Sequence, residues 1–455
     1  MEAAATDPGA GAPTAGLGNR RARQRAFAVG VVDAAAGQRE DPLAELKELL
    51  RTAGVATVGE LTQARSEPDP DRYLGRGKLA EVKAQLKRHN ANLVATDDEL
   101  LPRQERNLEA ALGVPVIDRT AVILDIFASH AHTAEGKLQV ELAQLEYNLA
   151  RMRGLWTHLE RLGAGRMDGG IGTRGPGESQ IETDRRLARD RISALHRKLR
   201  TLESNRAVMR AQRDAASVPT VALAGYTNAG KSTLLNALTG AEVGVGGRLF
   251  HTLDPTTRSY RHAGRDYLMT DTVGFIRKLP HELVEAFMAT LEETRRADLL
   301  VHVIDGSEPP EDRRGAIAAV DSVLAELGAA ERPRLLVYNK LDLLDDAGRR
   351  DLLVGDADAI GVSAAAGLGL NELRDRIASA FEETLRPLDL LVPYDRGERL
   401  SELHALAGDL EREDRAEGVL VHARVPVAVA HRFAEFAVAA NRANGSSAQA
   451  GGERG

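Results

Sequence analysis

Gly225-Tyr226-Thr227-Asn228-Ala229-Gly230-Lys231-Ser232 is the stretch on which the fold turns. It fits G-x-x-x-x-G-K-[ST] and lies between an apolar run, Val221-Ala-Leu-Ala224, and a helical pattern carrying Leu234, Leu235 and Leu238. Glycines at this spacing let backbone N–H groups turn inward around phosphates, and the helix that follows adds partial positive charge at its N-terminus. Lys231 is placed to reach the β- and γ-phosphates, and Ser232 to ligate Mg2+. A Gly-rich turn without function would not need strand, loop and helix in register.

Working outward, apolar strand runs recur at Val221–Ala224, Tyr267–Met269, Leu299–Ile304, Leu335–Tyr338 and Ala359–Val362, with helical patterns between them. This predicts an α/β fold: a doubly wound, mostly parallel sheet that binds ligand at the carboxyl ends of its strands. Three further motifs follow in order at such ends. Asp271-Thr272-Val273-Gly274 offers a carboxylate to hold Mg2+ through water and a Gly274 N–H to face the γ-phosphate. Asn339-Lys340-Leu341-Asp342 offers a carboxylate that accepts from N1–H and the exocyclic amine of guanine, donors that adenine lacks on that edge. Ser363-Ala364-Ala365 supports the base. Any one tetrapeptide arises by chance; the ordered set predicts that the chain binds GTP, and Asp342 argues against an ATPase or kinase.

Between Ser232 and Asp271 lies Phe250-His251-Thr252-Leu253-Asp254-Pro255-Thr256-Thr257. A threonine here completes the Mg2+ shell when γ-phosphate is present. Thr252 is the choice, with Thr256 and Thr257 as competitors that spacing does not exclude. Lys231, Thr252 and Gly274 are the candidate catalytic groups. Phe275 stands where many GTPases place a glutamine that orients the attacking water. A phenyl ring cannot do so, which predicts a low intrinsic rate and a missing group supplied from elsewhere in the chain or by a partner.

The chain has 455 residues, 43% hydrophobic and 28% charged, ordinary for a globular protein. No apolar stretch is long enough to span a membrane. Cysteine is absent, which excludes disulfides, thiolate nucleophiles and cysteine metal sites and fits a cytoplasmic location. Residues 1–24 and 440–455 read as disordered tails. Residues 25–133 read as a small α/β domain, with strands at Phe27–Val32, Asn92–Thr96 and Val114–Ile117 and helices at Leu43–Leu50, Leu79–His89 and Gln104–Leu112. Residues 134–215 carry two heptad seams, Leu138 to Leu159 and Ala188 to Met209, around the Gly-rich Gly163–Gly177, and predict an antiparallel helical hairpin. The GTPase domain is assigned to 218–385 and a short βαβ-like C-terminal module to 388–439.

Overall charge is −7, but residues 151–200 hold twelve Lys/Arg against six Asp/Glu, a net +6, while the rest carries −13. A basic finger on an acidic body, tipped by glycines around Arg174 and followed by Arg185 and Arg186, suits the irregular backbone of structured RNA. A solvated Arg-rich helix face is the plain alternative. His130 and His132 read as non-catalytic, and Gly75-Arg-Gly-Lys78 as an RNA contact or an ordinary loop.

Tyr73-Leu-Gly-Arg-Gly-Lys78, Asp118-Arg-Thr120, Ile126-Phe127, Glu135–Ala143, Gly169-Gly-Ile-Gly-Thr-Arg-Gly-Pro-Gly-Glu178 with Asp184-Arg-Arg186, Phe250–Pro255, Asp271–Ile276 and Leu279-Pro-His-Glu-Leu283 closely resemble the HflX family, GTPases of the translation-factor class. The resemblance covers roughly residues 27–385. It implies Mg2+-dependent hydrolysis of GTP to GDP, stimulated by ribosomes, in a monomer that binds the large ribosomal subunit and its rRNA. It further implies splitting or rescue of stalled or idle ribosomes under stress, with no DNA partner and with peripheral membrane contact left open. It places nucleotide contacts at Gly225–Ser232, Phe250–Asp254, Asp271–Gly274, Asn339–Asp342 and Ser363–Ala365, Mg2+ at Ser232 and Thr252, and the glycine loop 169–180 near the peptidyl transferase centre. Departures are His251, where the family often has Ala, and Ser179 and Ile181 for Thr and Leu. The competing expectation is a regulatory GTPase that docks a protein through the hairpin without touching RNA.

Overall fold

Three sheets organise the described residues, and their central strands grow from runs that the apolar pattern marks. The computed structural model describes residues 24–33, 41–163, 176–215, 218–241, 249–250, 252–253, 255–278, 288–356, 358–407 and 410–438. The tails, the hairpin tip with Arg174, and His251 and Asp254 lie outside the described residues. The chain divides into two compact units. The first comprises Met1–Leu202, Val245–Asp254 and Val273–Leu291, and the second Glu203–Gly244, Pro255–Thr272 and Glu292–Gly455.

In the first unit, β1 (Arg25–Val32), β2 (Ala56–Ala64), β3 (Leu93–Thr96) and β4 (Val116–Asp118) form a parallel sheet in the order β2-β1-β3-β4. Helices α1 (Ala44–Thr52), α2 (Arg76–His89), α3 (Pro102–Leu112) and α4 (Arg119–His130) connect and extend it. Phe27, Val29, Leu79, Val82, Leu108 and Val116 share one core. Strand β2 was not anticipated, because Ala-Thr-Val-Gly-Glu-Leu-Thr-Gln-Ala is an edge strand with no fully buried position. Helix α4 was also unforeseen. Its apolar run has no clear helical period, and it starts where Asp118 Oδ1 accepts from the Ala121 N–H at 2.9 Å.

Helices α5 (Ala134–Gly163) and α6 (Pro176–Ala215) are the two arms expected from the heptad seams. Leu142 and Leu195 are buried. Across the pair, Arg191 meets Glu141 at 2.6 Å and His196 meets Glu146 at 3.4 Å. The base of α5 is rooted in the sheet domain rather than freely projecting. The Tyr147 hydroxyl donates to Asp118 Oδ1 at 2.7 Å, and Arg151 lies over the Tyr147 ring while reaching Asp118 at 2.5 Å and Glu105 at 2.8 Å.

In the second unit, β5 (Thr220–Gly225), β6 (Thr256–His262), β7 (Arg265–Asp271), β8 (Leu299–Asp305), β9 (Arg334–Asn339) and β10 (Ile360–Gly361) form a six-stranded sheet in the order β10-β9-β8-β5-β7-β6. All neighbours are parallel except β6 and β7. The helices are α7 (Lys231–Thr239), α8 (Met288–Arg296), α9 (Pro310–Glu326), α10 (Asp346–Val354) and α11 (Leu370–Ala380). The expected doubly wound fold is present. The C-terminal module differs from its βαβ expectation. Strands β11 (Leu385–Val392), β12 (Glu411–Arg415) and β13 (Gly418–Pro426) are all antiparallel, in the order β11-β13-β12, with α12 (Gly397–Ala407) after β11. Only two residues separate β12 from β13, so the chain reverses as a hairpin, whereas a parallel pair needs a long crossover.

His302 sits in the middle of central strand β8 at 1% exposure. Burial is the main cause that pulls its imidazole down to about 4, and Arg334 adds to the effect. Unfolding restores an ordinary value near 6.5, so below that pH the unfolded chain binds a proton that the native fold refuses. Stability is therefore full above about pH 6.5 and falls toward pH 4, by up to about 3 kcal/mol from this one residue. Urea unfolding of wild type and His302→Leu between pH 7 and 4.5 is expected to show a shallower acid slope in the variant.

Candidate nucleotide site

Strand β5 delivers the first loop. Gly225 ends the strand at φ +157°, where a side chain would collide with the Val303 carbonyl of neighbouring β8. Gly230 has φ +93° and leaves room for the Asn339 side-chain amide, which a Cβ would overlap. These two positions require glycine for different reasons, one for strand packing and one for loop closure. Asn228, at φ 62°, is exposed at the crest of the loop.

Lys231 begins α7 and folds back over the loop. Its Nζ donates to the carbonyls of Gly225 at 3.1 Å and Tyr226 at 2.9 Å. Burial pulls its ammonium down to about 8, with Asp271 opposing. A cation held by carbonyls is poised to exchange them for phosphate oxygens. Next to it, Ser232 Oγ donates to Asp271 Oδ2 at 2.5 Å, and Asp271 is fully buried at the end of β7. Hydroxyl plus carboxylate is a hard oxygen set of the kind Mg2+ selects. Thr272 Oγ1 donates to the Leu223 carbonyl at 2.7 Å, which pins this strand end to β5. Thr227 Oγ1 is buried and makes no hydrogen bond among the described residues.

At the other end of the site, Asn339 braces two loops. Its Nδ2 donates to the Ala229 carbonyl at 2.9 Å, and its Oδ1 accepts from the Ala364 N–H at 3.0 Å. Lys340 adopts φ 65° and pairs with Asp305 at 2.6 Å, a partner that the sequence motif does not reveal. Leu341 is buried, its N–H bound to the Val362 carbonyl at 3.1 Å. Exposed Asp342 accepts from Ser363 Oγ at 2.5 Å, so one carboxylate oxygen is fixed in direction. Ser363 Oγ in turn accepts from the Ala366 N–H at 3.1 Å, while Ala365 is exposed.

The structure thus brings together Gly225–Ser232, Asp271, Thr272, Asn339–Asp342 and Ser363–Ala365 within the second unit. Phe250, Thr252, Leu253, Val273 and Gly274 belong to the first unit. Phe250 and Leu253 are buried there, and Thr252 lies in irregular chain at intermediate exposure. Its competitors Thr256 and Thr257 are strand residues of β6, with Thr257 Oγ1 paired to Thr270 Oγ1 at 2.9 Å. Phe275 is 1% exposed, a core side chain. On α6, Arg186 is exposed and Arg185 half-buried.

Comparison with known proteins follows the same division. Residues 40–128 match a family described as GTP-binding GTPase N-terminal, 130–213 one described as GTP-binding GTPase middle region, and 220–340 one described as 50S ribosome-binding GTPase. The chain is 46% identical over 419 residues to GTPase HflX of Caldanaerobacter subterraneus subsp. tengcongensis, covering 92% of this chain and 95% of that one. To GTPase HflX of Lacrimispora saccharolytica it is 44% identical, covering 90% and 96%. To GTPase HflX of Escherichia coli it is 44% identical, covering 85% and 90%. With a P-loop and this extent of likeness, the chain belongs to the HflX family of GTPases and is a GTP hydrolase.

Proposed function

We propose that this GTPase binds the large ribosomal subunit through rRNA and, in its GTP form, separates stalled or idle ribosomes under stress. The observation that carries the reading is the basic helix α6 (Pro176–Ala215), in a chain whose GTPase domain matches a family described as 50S ribosome-binding. Arg186, Arg189, Arg197 and Lys198 are exposed along it, so the positive charge faces outward rather than into a core. Outward cations release counterions when they meet phosphates.

Backbone N–H groups of Gly225–Ser232 cradle the phosphates, and Lys231 leaves its carbonyl partners for the β- and γ-oxygens. Asp342 and Ser363 select guanine, with Asn339 holding their loops to the phosphate loop. The Ser232 hydroxyl and the Asp271 carboxylate fit Mg2+, and these two with Thr252 would hold it. Such an ion would neutralise charge that develops between the β- and γ-phosphates. Thr252 and the Gly274 N–H sense the γ-phosphate. Buried Phe275 offers nothing to orient water, which supports slow intrinsic hydrolysis and a stimulating group from the ribosome.

In this order of events GTP binding drives splitting and hydrolysis releases the factor. Ribosomes mixed with the protein and a non-hydrolysable GTP analogue are expected to sediment as separated subunits; subunits that stay joined would refute the order. Replacing Arg174, Arg185 and Arg186 together by Ala is expected to weaken ribosome binding. It should also flatten the dependence of log K on log salt by about two to three units. An unchanged salt slope would favour docking of a protein through the hairpin instead.

A further inference from the structure

In open parallel sheets, ligands sit outside the carboxyl ends of the strands. In the first compact unit, the sheet β2-β1-β3-β4 uses that place to hold its own chain. Asp97 and Asp98 follow β3 directly, and Lys278 Nζ reaches Asp97 at 2.9 Å and Asp98 at 2.5 Å. Burial works against the Lys278 charge, yet the two carboxylates overcome it and hold the ammonium above its ordinary range. Arg119, 2% exposed at the start of α4, pairs with Asp97 at 2.9 Å and with Glu45, and donates to the Arg277 carbonyl at 2.8 Å. The segment after Gly274 is therefore tied to the sheet by both side chain and backbone.

A second contact concerns the other γ-phosphate segment. Phe250 stands edge-on to Phe127 of α4, with centroids 4.7 Å apart and rings at 82°. The preceding Leu249 N–H donates to Thr52 Oγ1 at 3.3 Å. Phe250 and Lys278 share one more property, left-handed backbone at φ 54° and 52°. Side chains with a Cβ resist that conformation and keep it only where the surroundings over-determine it. Here the surroundings are the Phe127 ring in one case and two carboxylates in the other.

We infer that Lys278, gripped by Asp97 and Asp98, and Phe250, seated on Phe127, are positioning residues for GTP hydrolysis. Through them the N-terminal sheet sets the placement of the segments bearing Gly274 and Thr252. The inference rests on the reading of those two residues as γ-phosphate contacts. Lys278 follows Gly274 by four positions and Phe250 precedes Thr252 by two, so each anchor acts through a short stretch of chain. GDP, which lacks the γ-phosphate, should be indifferent to both.

The test compares full-length Lys278→Met, Lys278→Arg, Asp98→Asn and the Lys278→Met/Asp98→Asn double variant in fluorescent GTP and GDP titrations and in single-turnover hydrolysis. The Lys278 side chain is about half exposed, so its replacement leaves the core intact. Lys278→Met is expected to lower the preference for GTP over GDP, and the single-turnover rate, each by about tenfold. GDP affinity should stay within about twofold, Lys278→Arg should retain most of the rate, and the double variant should be no worse than Lys278→Met. An unchanged rate and preference in Lys278→Met, equal losses for GTP and GDP, or losses that multiply in the double variant would overturn the inference. Thr252→Ala separates the two layers. If it loses GTP preference while Lys278→Met does not, only the positioning role falls. If Thr252→Ala itself is silent, the γ-phosphate reading fails and the inference goes with it.

Discussion

Asp342→Asn is expected to convert a guanine site into a xanthine site, reversing the ratio of GTP to XTP affinity by about 10²–10³ on each side. Ser363 Oγ donates to one Asp342 oxygen at 2.5 Å, so that oxygen faces inward and the other is left for the base. In the Asn variant the same serine bond selects the amide oxygen, which turns the NH2 group outward. A donor there meets the N1–H and amine of guanine as a clash of like groups, but meets the 2-carbonyl of xanthine as an acceptor. Sites that read bases by paired polar groups discriminate by 10⁴–10⁵ when sealed from water; Asp342 is exposed, hence the smaller figure. Competition of GTP, XTP and ATP against a fluorescent guanine nucleotide measures this directly. Retained guanine preference in Asp342→Asn would show that the corner does not read the base.

Lys231→Met is expected to lower GTP turnover by about 10²–10³, the usual cost of removing one preorganised charge from a developing phosphate centre. The wild-type residue adds a pH signature that the variant loses. Burial holds the nucleotide-free Lys231 at about 8. A triphosphate favours the charged form, so binding raises that value, and a proton enters with the ligand wherever the free lysine is partly neutral. Uptake should approach zero below pH 7 and reach about 0.75 proton per GTP at pH 8.5. GTP affinity accordingly falls as pH rises through 8 and not on the acid side. Calorimetry at pH 8.5 in two buffers of different ionisation enthalpy measures the uptake, and Lys231→Met should abolish it. A buffer-independent enthalpy for the wild type would contradict the assignment.

The loops of the candidate nucleotide site were legible from the sequence because their parts are short and local. A strand, two glycines and a helix start are contiguous in Gly225–Ser232, and the backbone conformation each requires is written in the residue itself. The same holds for the heptad seams of α5 and α6, whose period is visible without any partner. Edge strand β2 and strand β6 were missed since neither buries an alternating apolar face: Thr-Thr-Arg-Ser-Tyr-Arg-His owes its strand to pairing with β7. The antiparallel C-terminal sheet was misjudged for a related reason, because apolar runs report burial and not strand direction.

By itself, then, the sequence determined the ligand class, the order of the loops around it and the two long helices with their charge. Each depends on neighbours within about one turn or one strand. Tertiary structure alone decided which groups orient those loops. The Asn339 bridge to Ala229 spans 110 positions, the Ser363 bond to Asp342 spans 21, and the Lys278 pair with Asp98 spans 180. Such contacts leave no periodic trace along the chain, since either partner taken alone is an ordinary polar residue. They exist only after the sheets have formed and brought strand ends together.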